Sequence, residues 1–240
     1  MRWRDPILLI VLLLAAWQLL YLAVGDVALS SPARTFRVVT AMLGDPRFLP
    51  HVQETLLAFV QGFAIALAIG LLLGLTLGAN RLSGEVAEPI LVALYSIPKV
   101  TLYPVILLVF GIGMPAKVAF GAIHGIVPIS LFVMNAVRNI SPVYLRTARV
   151  LRLSPVETAW KILLRAALPE IVTGVRVGFS LTLIGTILGE MFGAQRGLGF
   201  LLMQAMSLHE MERIMSLTLL LVVFASSVNA GLLALERRLA

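Results

Sequence analysis

Long apolar stretches separated by short polar segments dominate the hydrophobicity pattern of this chain. Residues 7–24 contain no charged side chain, and as a helix these 18 residues span about 27 Å, close to the thickness of a bilayer core. Five further apolar stretches are long enough to cross a bilayer core as helices, at residues 55–79, 89–112, 118–137, 171–192 and 214–235. The pattern therefore predicts an all-α integral membrane protein with six transmembrane helices, forming one domain over residues 1–240.

The N-terminal segment leaves one alternative open. Arg2 and Arg4 precede the first apolar stretch, as basic residues precede the apolar region of a cleaved signal peptide. Such regions are usually about 7–15 residues long, so we expect a retained helix. The polar connection that follows has room for a short amphipathic helix between Pro32 and Gly44.

Basic residues in the connections orient the predicted helices. An even number of helices places both termini on one side of the membrane. With the N-terminus inside, the inner segments contain eleven Lys or Arg residues and the outer connections contain six, Lys117 among them. Because cytoplasmic loops are enriched in Lys and Arg, we predict that both termini are cytoplasmic.

Composition narrows the possible functions. The chain is 60% hydrophobic and 13% charged, with a mean hydropathy of +0.99 and no cysteine, which excludes a disulfide framework and thiolate chemistry. Its net charge of +7 reflects membrane topology, and we expect no nucleic-acid partner. The phosphate-loop, zinc-protease and serine-hydrolase motifs are absent, and the three histidines are scattered. We therefore expect no catalytic site, no metal and no cofactor in this chain, and a transport role.

Small residues recur every four positions in two of the predicted helices. The second helix has Gly62, Ala66, Gly70, Gly74 and Gly78, and the fifth has Gly174, Gly178, Thr182 and Thr186. This spacing lets helix backbones approach closely in lipid. We interpret both rows as packing inside one bundle; alternatively, part of the fifth-helix row faces a partner subunit or a solute path.

Five polar residues near membrane depth are candidates for a translocation path: Ser96, Lys99, Thr101, Tyr103 and Glu190. The first four lie beside two prolines, residues 98 and 104, which we place inside the third helix. Irregular backbone and ionisable groups at membrane depth are typical of cavity walls. The alternative is local: Lys99 bonds to a neighbouring carbonyl, and Glu190 extends to the outer interface.

The basic connection of residues 138–170 is predicted to have structure of its own. Pro142 can begin a helix that runs through Arg149. Ser154 and Pro155 then read as an N-cap followed by proline at the first helical position, and Glu157 completes a capping box. Two short helices therefore meet at residues 152–154.

Several motifs in order resemble the permeases of ATP-binding-cassette (ABC) importers. They read SIPKVTLYP, FGIG, the 138–170 segment, LPEIVTGVRVG, GEMFGAQRGLGFLL and a C-terminal ERRL. The 138–170 segment is similar to the family's cytoplasmic signature, E-A-A-x-x-x-G followed by I-x-L-P. The resemblance covers nearly the whole chain and is greatest to the nitrate, sulfonate and taurine permeases.

The signature is degenerate in this chain. Ala148 keeps the second alanine, but Arg146 stands at the glutamate position, Arg152 replaces the glycine and Arg165 replaces the first proline. A side chain at the glycine position must adopt a conformation that glycine accepts freely. A pair of different permease chains and a homodimer both remain open.

The resemblance implies a permease subunit in the cytoplasmic (inner) membrane of a prokaryote. It implies that residues 138–170 couple to partner ATPase subunits, which bind ATP and Mg²⁺. It also implies a second permease chain and a periplasmic or extracellular solute-binding protein that contacts the 25–53 and 194–213 connections. The solute is expected to be a small anion of the nitrate, sulfonate or carboxylate type. The coupling candidates are Arg149, Arg152, Leu153, Ser154, Pro155 and Glu157.

Two other functions were weighed against this one. A carrier driven by an ion gradient often has two related halves, and no internal repeat is evident here. A membrane-embedded enzyme needs a nucleophile and a base together, and no such constellation stands out.

Overall fold

The computed structural model describes residues 4–25 and 28–239, and helices are the only regular secondary structure in those ranges. The first five helices are α1 (Arg4–Val24), α2 (Pro32–Leu43), α3 (Leu49–Ala79), α4 (Arg81–Ser96) and α5 (Tyr103–Phe110). The remaining six are α6 (Met114–Arg138), α7 (Pro142–Val150), α8 (Pro155–Thr158), α9 (Leu164–Gly193), α10 (Leu198–Ser207) and α11 (Met211–Leu239). A 3₁₀ turn, Lys99–Leu102, precedes α5, and a π-helical turn, Ala159–Leu163, joins α8 to α9.

Four spans are long and apolar enough to cross a membrane within the described chain: Leu49–Ala79, Met114–Arg138, Lys161–Gly193 and Met211–Ala234. The bent pair formed by α4 and the segment Lys99–Phe110 makes a fifth. The described apolar part of α1, Leu8–Val24, is shorter than these spans. Length and composition therefore identify four spans, or five with the bent pair.

The prediction of one continuous third helix over residues 89–112 is wrong. The chain bends by 83° between α4 and the segment that begins at Lys99. Ile97 leaves the helix with ψ 130°, because a residue before proline is disfavoured in the α region. Pro98 therefore lies in the break, and Pro104 is the second residue of α5, where its missing N–H costs nothing.

Helix α6 forms the centre of the bundle, with α3 on one side and α9 on the other. A Cβ at Gly70 of α3 would lie 2.7 Å from Ile129 Cβ of α6, so only glycine fits there. Gly174 and Gly178 of α9 lie equally close to α6, against Phe132 and Ile129. Both small-residue rows thus pack inside one bundle, as interpreted from the sequence.

Of the remaining helices, α4, α5, α10 and α11 pack directly on this core, and α2 packs on α11. The predicted amphipathic helix is confirmed as α2, whose Ser31 N-cap accepts a bond from the backbone N–H of Arg34. Helix α11 contacts α2 through Ser216, which donates to the Thr35 carbonyl at 3.2 Å. Helix α10 lies within residues 194–213, where the sequence predicts only a connection, and it therefore corrects that prediction.

We expect Gly74→Ala to destabilise the bundle by about 1–3 kcal/mol, the usual cost of overpacking. Its Cβ would lie 2.5 Å from Val133 Cβ and 2.9 Å from the Ser130 carbonyl oxygen of α6. The measurement is thermal unfolding in one detergent. Gly231→Ala in α11 is the matched control, since nothing lies within 4 Å of its Cβ, and its midpoint should not fall. An unchanged midpoint for Gly74→Ala would contradict close packing of α3 on α6.

Candidate functional site

The two helices predicted to meet at residues 152–154 are present. Helix α7 ends in a left-handed turn, in which the Leu153 N–H donates to the Ala148 carbonyl at 3.0 Å and the Arg152 N–H to the Arg149 carbonyl at 3.1 Å. Arg152 has φ 51°, a conformation that glycine adopts without strain. The arginine at the family's glycine position therefore keeps the glycine geometry. Arg149 and Arg152 are both exposed and form no ion pair with the described residues.

The predicted capping box is confirmed at the start of α8. The Glu157 N–H donates to Ser154 Oγ at 3.3 Å, and the Ser154 N–H donates to Glu157 Oε2 at 3.1 Å. Lys161 Nζ donates to Glu157 Oε1 at 2.7 Å. This bond from Lys161, with those from Ser154, lowers the pKa of Glu157 from about 4.5 to about 2. The box therefore stabilises this turn above pH 4.5 and loses that contribution only as the pH falls towards 2.

No flexible link separates the 138–170 segment from the membrane. Helix α8, the π-helical turn and α9 form one unbroken helical stretch, residues 155–193. The fifth membrane helix was predicted to begin at residue 171; it begins at Leu164, with Pro169 inside it. Leu153 is half-buried, and Pro155 opens α8, although its side chain lies outside the described part of the structure.

Four of the path candidates lie at the break between α4 and α5. Lys99 Nζ donates to the Tyr95 carbonyl at 3.1 Å and lies 5.3 Å from the centroid of the Tyr95 ring. Ser96 and Thr101 are exposed, and their hydroxyls donate to carbonyls of their own helical turns. Tyr103 is buried instead, and its hydroxyl donates to the Gly189 carbonyl of α9 at 2.6 Å. Ser96 and Thr101 are therefore exposed at the break, Lys99 is half-buried there, and Tyr103 belongs to the packed core.

Glu190, the fifth candidate, is completely buried, so the alternative that it extends to the outer interface is wrong. Its carboxylate accepts from Thr55 Oγ1 at 2.8 Å and from the Gly199 N–H at 2.9 Å. Lys117 Nζ lies 3.6 Å from it and donates to Glu54 Oε1 at 2.9 Å. Lys117 is only 1% exposed, which corrects its assignment as an outer-loop charge.

This cluster completes the hydrogen bonding at the start of α10. The first N–H groups of a helix lack partners within it. Here the N–H of Gly197 donates to His51 Nδ1, that of Leu198 to Thr55 Oγ1 and that of Gly199 to Glu190. Glycine is required at 197 and 199, since a Cβ at either position would collide with Glu190. The carboxylate also interacts favourably with the helix N-terminus.

The structure therefore separates the five path candidates into two groups. Ser96, Lys99 and Thr101 lie at the break between α4 and α5. Glu190 and Tyr103 belong to the packed core, where the Tyr103 hydroxyl bonds to Gly189, the neighbour of Glu190. Sequence reasoning missed Thr55 and Lys117 as partners of Glu190. Both residues lie at the edges of apolar stretches, where the sequence of a helix end resembles that of a loop. No group of His, Asp or Glu suited to a metal ion is found among the described residues.

The chain is similar to transport proteins along its length. Residues 66–240 match the family described as "Binding-protein-dependent transport system inner membrane component". The riboflavin transport system permease protein of Chloroflexus aurantiacus is 33% identical over 93% of this chain and 85% of that protein. The taurine transport system permease protein of Escherichia coli is 24% identical over 100% of this chain and 92% of that protein.

Solved structures show the same fold. A chain of the MetNI methionine ABC transporter, in an inward-facing conformation, superimposes with a TM-score of 0.69 at 22% identity, covering 80% of this chain and 95% of that chain. An amino acid ABC transporter solved with histidines gives a TM-score of 0.60 at 17% identity, covering 80% of this chain and 94% of that chain. Since the family match extends over most of the sequence, the chain belongs to the binding-protein-dependent transport system inner membrane components, the permease subunits of ABC importers.

Proposed function

We propose that this permease carries a small anion across the cytoplasmic (inner) membrane of a prokaryote by alternating access, driven by separate ATPase subunits. The observation that carries the proposal is the 138–170 segment. It is a structured, doubly capped element with exposed arginines, and it continues without a break into a core helix. ATP and Mg²⁺ are bound by the ATPase, so this chain contributes no catalytic residue.

The proposed topology has six spans, with α1 as the first and both termini in the cytoplasm. The excess of basic residues in the inner segments supports this orientation. The 138–170 segment then faces the ATPase, and the 25–53 and 194–213 connections face the solute-binding protein. A second permease chain, identical or different, completes the path.

Force applied to residues 149–157 passes directly into α9, because no loop intervenes. Helix α9 packs on α6 through glycines and carries Glu190 in its last turn, where the carboxylate holds the start of α10. A displacement at the ATPase side therefore reaches the outer end of the bundle through rigid contacts. The coupling role belongs to the exposed Arg149 and Arg152, and Ser154 and Glu157 fix the turn that presents them.

The proposed substrate class is supported by Lys99, at the break between α4 and α5. Lys99 has one hydrogen-bond acceptor, the Tyr95 carbonyl, and no carboxylate within 4.0 Å among the described residues. A cation without a counter-ion at membrane depth favours an anionic solute. Relatives are named for transport of aliphatic sulfonates, nitrate and bicarbonate, which supports this class. Neither the family nor the fold supports the ion-gradient carrier left open by the sequence.

Reversing both arginines, Arg149→Glu with Arg152→Glu, is expected to abolish transport and ATPase stimulation, because the ATPase surface that receives them then meets opposite charge. The measurements are solute uptake and ATP hydrolysis in liposomes, with retention of the ATPase on the purified permease. Arg37→Glu with Arg47→Glu, on the other side of the proposed topology, is the matched control and should retain the ATPase. Unchanged transport in the inner double variant would count against the coupling role.

The left-handed conformation of Arg152 predicts a backbone effect separable from its charge. Arg152→Gly should stabilise the turn by about 1 kcal/mol, because glycine accepts positive φ without strain. Arg152→Ala removes the same charge and keeps the strain. Hydrogen exchange at the Leu153 amide is the measurement, with slower exchange expected for the glycine variant only. Equal exchange in the two variants would show that the turn is unstrained.

Lys99→Gln is expected to raise the half-saturating solute concentration about tenfold, the effect of losing a charged hydrogen bond. Lys99→Arg is the matched control and should retain most of the affinity. Uptake of a radiolabelled aliphatic sulfonate, nitrate and bicarbonate by the reconstituted importer provides the measurement. Identical uptake curves for Lys99→Gln and the wild type would remove Lys99 from the path. Failure of the wild type to carry any of the three would overturn the anion class.

A further inference from the structure

A cavity of about 1030 Å³ opens at the end of the bundle that carries the 138–170 segment. It lies where α3 turns into α4, where α6 ends and where α9 begins. One wall is apolar and comes from Leu75, Val137, Ile140, Leu164 and Ile171. The charged wall contains two acidic and two basic residues, described next. The cavity thus has the two-part character of a lipid site.

The charged wall consists of two ion pairs that leave bonding capacity unused. Arg81 Nε donates to Glu85 Oε1 at 2.9 Å, and Arg138 Nη2 donates to Glu88 Oε2 at 2.6 Å. The Arg81 side chain is 88% exposed, and its terminal nitrogens have no bonded acceptor among the described residues. Each carboxylate similarly keeps one oxygen without a described donor.

This arrangement matches a zwitterion better than an anion. The charges of the four side chains sum to zero. A headgroup of net negative charge is therefore attracted by Arg81 and repelled by Glu85 and Glu88. A phosphate beside Arg81 would accept from its unused nitrogens, and a primary ammonium beside the two glutamates would donate to their unused oxygens. Carboxylate oxygens need hydrogen donors, which an ethanolammonium has and a quaternary choline lacks.

The Arg138 side chain is also held in place by close packing. A Cβ at Gly84 would come within 3.2 Å of Arg138 Cδ, so this glycine makes room for the arginine that fixes Glu88. Both Arg81 and Arg138 directly adjoin the ends of long apolar helices, α3 and α6.

We propose that this cavity binds one phosphatidylethanolamine molecule, with its phosphate on Arg81, its ammonium on Glu85 and Glu88, and an acyl chain along the Leu75 wall. The lining of the cavity includes none of the five candidates for the substrate path. The lipid site depends on neither the coupling role nor the substrate class, since lipid retention is measured without transport.

Native mass spectrometry of the full chain tests the proposal after equilibration with phosphatidylethanolamine, phosphatidylglycerol or phosphatidylcholine. The wild type should retain one phosphatidylethanolamine. Arg81→Gln should weaken retention about fivefold, the effect of one cation on a lipid phosphate. Leu75→Trp should block the apolar wall and abolish retention. Both residues are partly exposed, so neither change threatens the fold.

Two control variants isolate the cavity. Leu72→Trp places the same bulk on α3 at a residue that is 63% exposed and does not line the cavity. Arg37→Gln removes a basic residue of α2, away from the cavity. Both should retain the lipid as the wild type does.

Three results would overturn the proposal. The first is equal retention of the three lipids, or of none. The second is displacement of the lipid by inorganic phosphate alone, which would identify a simple anion site. The third is loss of the lipid on adding the ATPase subunit, which would assign the cavity to a protein contact.

Discussion

The close approach of α3 and α9 to α6 is the constraint on which the rest of the structure depends. Lipid offers no hydrophobic drive for helices to associate, so contact area between their surfaces must supply the attraction. Glycines at the crossings allow that contact, and a Cβ at Gly74 or Gly178 would occupy space held by side chains of α6. Every functional element described above is attached to this three-helix core.

The buried charges around Glu190 depend on the same core for their environment. Glu190 is tolerated there because Thr55, Gly199 and Lys117 surround its carboxylate. Such a polar cluster is stable only when each member has a partner. The cluster therefore ties α3, α6, α9 and α10 together at one end of the bundle.

Periodicity and local chemistry predicted most of the fold. The glycine rows, the α2 helix and the Ser154–Glu157 capping box were all readable, because each is decided by residues a few positions apart. The break at Pro98 was read as a proline inside a helix, since sequence does not reveal whether neighbours support a kink or a bend. The Lys117–Glu190 contact joins residues far apart in the chain, and no local signal marks it.

The π-helical turn at Ala159–Leu163 has a consequence for how the 138–170 segment is aimed. A π turn accommodates one extra residue within a helix, and each residue of an α-helix advances the direction of side chains by about 100°. The direction in which the Arg152 turn points relative to the membrane helices therefore depends on the one extra residue in this π turn. Insertion or deletion of one codon would rotate the Arg152 turn about the helix axis towards an ATPase of different shape. The contact surfaces of the turn and of the ATPase would stay the same.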